Sequence, residues 1–335
     1  MKTKPVPASF FGMVLGLSGL GQAWRLASTL WAWPPLIGEA VLALAALIWL
    51  LLLLRYGWQA VRDPARSQQE FLHPVQGSTP ALLGVATLLM VLAVLPHSRA
   101  VASLLLVLGL GWHLGFALWH SGILWKGGRE GTDTVPTLYL PTVAGNFTSA
   151  AALGALGHPQ WGWLFLGAGF FSWLALESQI LQRLTQQASL PVAQRPLLGI
   201  QFAPPVVCLM AALILYPGSV TPWLLMLWGY GLFQLLLGLR LWRWLGAQRF
   251  APSYWAYTFG VAATTVGTLK LALAGAEPAR LLALPIFIAA NLFIGYLTLR
   301  TAHLLWRREL IYEWESHLWV ALPPLSTESN CCGYR

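Results

Sequence analysis

Charged side chains are scarce in this sequence. Asp, Glu, Lys and Arg make up 9% of its 335 residues, whereas ordinary soluble domains contain about 25%. Apolar residue types make up 57% of the chain, and 19 residues are Trp. The composition therefore excludes an ordinary soluble domain and predicts a membrane protein.

The residue patterns of common catalytic and metal sites are also missing. The three cysteines are Cys208, in an apolar run, and Cys331 and Cys332 near the end of the chain, and they form neither a metal-binding spacing nor a disulfide framework. We find no Ser/His/Asp set and no Gly-rich phosphate loop. His113 and His120 lie seven residues apart, but no second apolar run has a matching histidine deep within it to complete a haem site. We therefore expect no enzyme activity, no metal and no cofactor.

Apolar runs of about 20 residues, the length that crosses a bilayer as a helix, recur along the whole chain. The first run is longer than the 7–15 residues of a signal-peptide core, so we expect it to be retained. Short connections alternate with longer ones, which indicates antiparallel hairpins. The predicted spans are residues 8–30, 36–54, 80–96, 100–124, 138–157, 160–182, 197–216, 221–243, 252–274 and 280–304.

The basic residues predict the orientation of these spans. Of the 20 Lys and Arg residues, all but Arg25, Arg99, Lys270 and Arg280 lie in the loops, tails or helix ends on one predicted side. The positive-inside rule then places both termini in the cytoplasm. We also expect the protein to lie in the cell inner (plasma) membrane. The formal net charge of +9 is thus a topology signal, and we expect no nucleic-acid partner.

The odd-numbered spans contain many helix breakers and small or polar residues. Irregular backbone inside a membrane is tolerated where protein or water satisfies it, which favours a central conduit lined by the odd helices. The alternative is that Gly and Pro are simply common in membrane helices. A Gly-x-Gly motif at Gly109, Gly167 and Gly229 also recurs about every 60 residues in the even spans, as expected of a repeated unit or of close helix packing.

Glu177 is an ionisable residue within a predicted span, which makes it a functional candidate by default. It could relay protons, or it could pair with a basic residue such as Arg183. The sequence leaves both readings open.

Four sequence strings resemble the tellurite-resistance/dicarboxylate transporter family, to which the plant slow anion channels are related. They are FFGMVLGLSGLGQAWRLAS from Phe10, LYLPTVAGNFTSAAALGALGH from Leu138, FLGAGFFSWLALESQILQRL from Phe165 and SYWAYTFGVAATTVGTLKLA from Ser253. The similarity extends from about Pro7 to Trp306.

The resemblance implies an all-α polytopic membrane protein of ten transmembrane helices, arranged as five tandem helical hairpins around a central pore. Residues 1–306 would form this channel domain and 307–335 a cytoplasmic tail. The resemblance also implies a homotrimer with one pore in each protomer, occluded at Phe259. The expected function is passage of small anions, associated with tellurite resistance. The alternatives are a proton-coupled C4-dicarboxylate carrier or an efflux protein for lipophilic cations, for which Glu177 would be the coupling site.

Helix geometry extends this expectation to the outer end of the pore. Eleven residues at 100° per residue return to within about 20° of the same direction, so Lys270 should share the face of Phe259, about 16 Å further along the helix. We predict that Lys270 forms a positive outer vestibule. The predicted pore-lining residues are Gly16, Pro141, Asn146, Pro204, Ala263 and Gly267.

Overall fold

The computed structural model describes residues 6–218 and 220–310, and this part of the chain contains helices and no strand. Cys331, Cys332 and most of the predicted tail lie outside the described residues. We number the α-helices in chain order from α1 to α12.

Five long helices have mostly exposed apolar surfaces. Within the most apolar stretch of each, only 17–33% of the residues are buried, as expected for helices that face lipid. They are α2 (Pro35–Arg62), α5 (Arg99–Leu124), α7 (Pro159–Gln186), α9 (Pro222–Arg240) and α12 (Glu277–Trp306).

Five other helices form the buried core. They are α1 (Gly12–Trp31), α4 (Ala81–Val94), α6 (Gly145–Ala155), α8 (Pro204–Leu215) and α11 (Thr258–Leu273). Each packs against the next, and α11 packs against α1, so that the five make a closed cycle of contacts. Every exposed helix packs on the core helix that precedes it in the chain.

Glycines allow these exposed and core helices to approach closely. A Cβ atom on Gly109 would lie 2.8 Å from Leu88, and one on Gly231 would lie 2.2 Å from Val206. The other glycine of each of these two motifs has no neighbour within 4 Å of such an atom. One glycine of each recurring motif therefore serves helix packing.

Seven helical segments are long and apolar enough to cross a membrane by length and composition: the five exposed helices, Gln76–Val94 and Val192–Leu215. Helices overlap all ten predicted spans, but α1, α6 and α11 are not among the seven. That these three also cross the membrane stays a prediction.

Each core helix follows a 3₁₀-helical segment of 3 to 11 residues, which the sequence did not predict. In a 3₁₀-helix the side chains at i and i+3 lie directly above one another, so residues three apart in a segment share one face. A π-helical turn, Leu140–Ala144, continues the third segment into α6. The segments are Ala8–Phe11, Gln76–Ser78, Pro136–Leu138, Val192–Phe202 and Pro252–Tyr257.

Three shorter elements complete the described fold. They are α3 (Pro64–Leu72), α10 (Trp242–Leu245) and the 3₁₀ turn Gly131–Asp133. Glu70 of α3 is buried, and its carboxylate accepts hydrogen bonds from the Ala8 backbone N–H at 2.8 Å and from the Tyr56 hydroxyl at 3.0 Å. Burial raises the pKa of the Glu70 carboxyl. Helix α3 thereby fixes the start of the first core segment.

Candidate functional site

A cavity of about 60 Å³ lies where the five core segments begin, with room for a few water molecules. All five 3₁₀ segments or the residues directly after them contribute to its walls, mostly at intervals of three residues. The rows are Ser9, Gly12 and Leu15; Gln76, Thr79 and Leu82; Thr137 and Leu140; Leu197, Ile200 and Ala203; and Ser253, Ala256 and Phe259.

The first positions of these rows are partly polar. Ser9, Gln76 and Ser253 offer hydroxyl or amide groups, and no charged side chain is among the residues that line the cavity. The Gln76 side chain is buried, and its Oε1 atom has no hydrogen-bond partner among the described residues. The cavity lining is thus neutral and mostly apolar, with its few polar groups at one end.

The last position of every row is apolar, and together these five residues form what we call the collar: Leu15, Leu82, Leu140, Ala203 and Phe259. All five side chains are buried, and Phe259 is the largest of them, 7% exposed. The sequence reading identified Phe259 but missed the other four. The three-residue spacing of the rows could have indicated them, but only if the 3₁₀ segments had been predicted first.

The contacts of α11 show which way Phe259 points. A Cβ on Gly19 of α1 would lie 2.5 Å from Ala262, and one on Gly267 would lie 2.8 Å from Leu209 of α8. These two contact positions are separated by about 140° around α11, at 100° per residue. Phe259 lies in the sector between them, as do Ala263 and Lys270. The face of α11 between its two core neighbours, which is the face toward the ring interior, therefore includes Phe259 and Lys270.

Lys270 lies in the last turn of α11, at the end remote from the cavity. No described carboxylate pairs with it. Because α11 is continuous from Thr258 to Leu273, the separation of about 16 Å between residues 259 and 270 along the helix axis holds.

Two predicted lining residues lie at helix contacts. A Cβ on Gly16 would lie 2.4 Å from the Thr258 hydroxyl oxygen, so this glycine allows α1 to approach α11. Gly267 has the corresponding role against Leu209 of α8. For both residues, a lining role stays a prediction.

The remaining predicted lining residues fall into two groups. Pro141 lies in the π turn and Pro204 begins α8 directly after Ala203 of the collar, so both shape the rows that line the cavity. Ala263 is buried on the inner face of α11. Asn146 instead contacts α5, because its Oδ1 lies 3.1 Å from His113 Nε2.

Glu177 is buried between helices and accepts four hydrogen bonds. The donors are the Tyr139 hydroxyl at 2.6 Å, Trp173 Nε1 at 2.8 Å, the Tyr230 hydroxyl at 2.8 Å and Gln234 Nε2 at 3.3 Å. Together they match the lone-pair sites of a carboxylate.

Arg183, which the sequence offered as one possible partner, does not contact Glu177 in the described structure. Arg183 donates to the carbonyl oxygens of Thr132 and Ala188 instead. Glu177 does not line the cavity. It joins α7 to α9 and to the segment that precedes α6.

Comparisons with known proteins identify the family of this chain. The family model described as SLAC1, voltage-dependent anion channel, matches residues 5–302. The tellurite resistance protein TehA homolog of Haemophilus influenzae is 32% identical over 303 residues, which is 90% of this chain and 92% of that protein. The S-type anion channels SLAH2 and SLAH3 of Arabidopsis thaliana are 25% and 26% identical over 79% of this chain. The matched region covers 52% of SLAH2 and 43% of SLAH3, about half the length of these plant relatives.

Proposed function

Because this chain belongs to the SLAC1 family of voltage-dependent anion channels, we propose that its five core helices enclose an anion pore closed by the collar, with Phe259 as the gate. The observation that carries the proposal is the cavity, which is lined by all five core segments and bordered by one apolar side chain from each. Apolar constrictions of this kind close a pore by excluding water.

The charge distribution along the proposed pore favours anions. The cavity is neutral, so nothing there holds an anion tightly, and Lys270 provides a positive charge at the far end of α11. A positive mouth raises the local concentration of anions, and a weakly binding bore lets them leave. The pore would thus select by sign while still conducting.

Passive conduction is sufficient for anion export. In a cell with a negative interior, each negative charge that leaves gains about 2.3 kcal/mol per 100 mV. The name of the Haemophilus relative refers to tellurite resistance, and we propose tellurite as one permeant anion among small inorganic and organic anions.

The proposed assembly consists of ten membrane-crossing helices in five hairpins around the pore, with both termini in the cytoplasm. The closed cycle of core contacts and the pairing of each exposed helix with a core helix support this arrangement. The positive-inside rule supports the orientation. A homotrimer with one pore in each protomer follows from the family resemblance.

The decisive experiment measures conductance of the purified protein in liposomes, with Phe259→Ala as the test variant. We expect anion conductance to rise, since lowering the barrier by about 1.4 kcal/mol raises the rate about tenfold. Chloride, nitrate, tellurite and succinate should be compared with protons and organic cations. The matched control is Phe171→Ala, because Phe171 is 72% exposed on α7 and its loss should leave conductance unchanged.

Two results would contradict this function. Conductance of Phe259→Ala no higher than that of the parent would remove the gate assignment. A reversal potential that shifts with a pH gradient would instead favour the proton-coupled carrier.

A further inference from the structure

A second, larger cavity lies on the outside of the ring. It is a cleft of about 620 Å³ between α9 and α12, with the start of α11 as its floor. Aromatic side chains dominate its wall, among them Trp242, Phe250, Tyr254, Phe293 and Tyr296. The cleft is separate from the cavity enclosed by the core segments.

The cleft has the depth of one lipid leaflet. Its wall extends along α12 from Ile286 to Leu297, a separation of eleven residue steps or about 16 Å of helix. The hydrocarbon core of a bilayer is about 30 Å thick, so the cleft spans about half of it.

A basic cluster adjoins one end of this cleft. Arg249, Arg300 and Arg307 line a smaller depression with His303 and Glu309, so the arginines outnumber the single carboxylate. Phe250 belongs to both the depression and the cleft, and the Arg300 guanidinium lies 5.4 Å from the centre of its ring. The apolar cleft and the basic depression thus meet at Phe250.

Polar atoms inside the cleft lack partners in the described structure. The Tyr257 side chain lines the cleft and is only 8% exposed, yet its hydroxyl has no hydrogen-bond partner. The Oε1 atom of Gln248, another lining residue, is also buried without a partner. A buried hydroxyl without a hydrogen bond is costly, so a polar ligand group that reached these atoms would stabilise the bound state.

We propose that the cleft binds an anionic phospholipid. One acyl chain lies along α12, the glycerol region meets Gln248 and Tyr257, and the phosphate is held by Arg249, Arg300 and Arg307. Basic pockets between membrane helices are known to select anionic lipid head groups, and guanidinium groups bind phosphate oxygens in pairs. A purely apolar ligand would make no contact with the arginines, and a free phosphate ion would make no contact with the aromatic wall of the cleft. A phospholipid contacts both.

The bound lipid would lie directly behind the collar. Ala256 and Phe259 line the inner cavity, whereas Tyr257 and Val261 line the cleft. The two sites thus lie on opposite faces of the chain at the start of α11, so occupancy of the cleft bears on the position of Phe259.

Lipid retention by the purified full chain tests the proposal without reference to conductance. Native mass spectrometry should show phosphatidylglycerol retained in preference to phosphatidylcholine. Arg300→Gln and Arg307→Gln should each weaken retention about fivefold, the effect of about 1 kcal/mol per basic residue near an anionic surface. Arg62→Gln is the matched control, because Arg62 stacks on Trp58 at 4.5 Å but lies outside the cleft, and it should leave retention unchanged.

A second pair of variants tests the apolar part of the site. Ala289 lines the cleft from its exposed side, whereas Ala302 is exposed on the same helix and does not line it. Ala289→Trp should reduce phosphatidylglycerol retention, and Ala302→Trp should not. Equal retention of both lipids, equal effects of the two tryptophans, or displacement of the lipid by inorganic phosphate alone would overturn the proposal, as would loss of the oligomer in Ala289→Trp, which would assign the cleft to a protomer contact.

Discussion

Lys270 is the charged side chain that we expect to set ion selectivity. It lies on the inner face of α11 with no described carboxylate as a partner. We predict that Lys270→Gln lowers both anion conductance and the preference for anions over cations, because the local anion concentration at a mouth falls when its positive charge is removed. Conductance in low and high salt measures this, since screening should shrink the difference between variant and parent.

Arg280 provides the control for Lys270. Its guanidinium donates to the Ala272 carbonyl, close to the end of α11, but it belongs to the exposed helix α12. Arg280→Gln should change selectivity less than Lys270→Gln does. Unchanged conductance and selectivity in Lys270→Gln would refute the vestibule.

Glu177 is predicted to act in stability and not in transport. Replacing it by Gln puts an amide N–H₂ where the carboxylate now accepts four hydrogen bonds, leaving at least one buried donor unmatched at a cost of about 1–3 kcal/mol. We expect Glu177→Gln to unfold at a lower temperature than the parent. Its reversal potential, like that of the parent, should not depend on a pH gradient. Glu130→Gln, in an exposed loop, should leave both unchanged. Suppose instead that the reversal potential of the parent shifts with a pH gradient and that of a stable Glu177→Gln protein does not. That result would assign Glu177 to proton transfer.

The partners of Glu177 illustrate where sequence reasoning ends. The nearby Arg183 was one possible partner, yet the donors Tyr139 and Tyr230 lie 38 and 53 residues away in the chain. Which groups meet a buried carboxylate depends on which helices pack together, and a single sequence does not specify that.

At the scale of helices, close approach between α1 and α11 fixes the position of the gate. Gly16 faces Thr258, which directly precedes Phe259, and Thr258 is fully buried. We predict that Gly16→Ala destabilises the protein by about 1–3 kcal/mol, as overpacking of a core does, and that it alters anion conductance by shifting Phe259. Thermal unfolding and liposome flux together measure the effect.

Gly111→Ala is the matched control for the packing argument. A Cβ at this position of α5 meets nothing within 4 Å, and alanine favours a helix by up to about 1 kcal/mol over glycine. This variant should be as stable as the parent or slightly more stable. Equal losses in Gly16→Ala and Gly111→Ala would show that the α1–α11 contact is unimportant.

The helices could be located from hydropathy, but the pore could be located only in part. Helices overlap every predicted span, although α2 continues to Arg62 where the prediction ended at 54. The 3₁₀ segments were missed because no local propensity distinguishes them from the first turn of an α-helix. Leu15, Leu82 and Leu140 therefore looked like ordinary apolar residues, although the structure places them with Phe259 around one cavity.

At the scale of the whole molecule, one chain supplies every helix of the closed cycle. The contacts run from α1 through α4, α6, α8 and α11 back to α1, and the cavity is lined from within that cycle. No second copy is required to complete the proposed pore. A homotrimer would therefore contain three independent pores, with its protomers joined through exposed helices.

Mixed assemblies test this independence. If parent and Phe259→Ala subunits are co-expressed with distinguishable tags and mixed trimers are purified, each subunit should open or close its own pore. We predict that conductance per trimer rises linearly with the number of Phe259→Ala subunits. A pore shared at the symmetry axis would instead respond to all three gates together, so that trimers with one or two altered subunits would conduct like the parent. Such a steep dependence would contradict a pore within each chain, whereas a linear series would support it even where the physiological anion differs from the one measured.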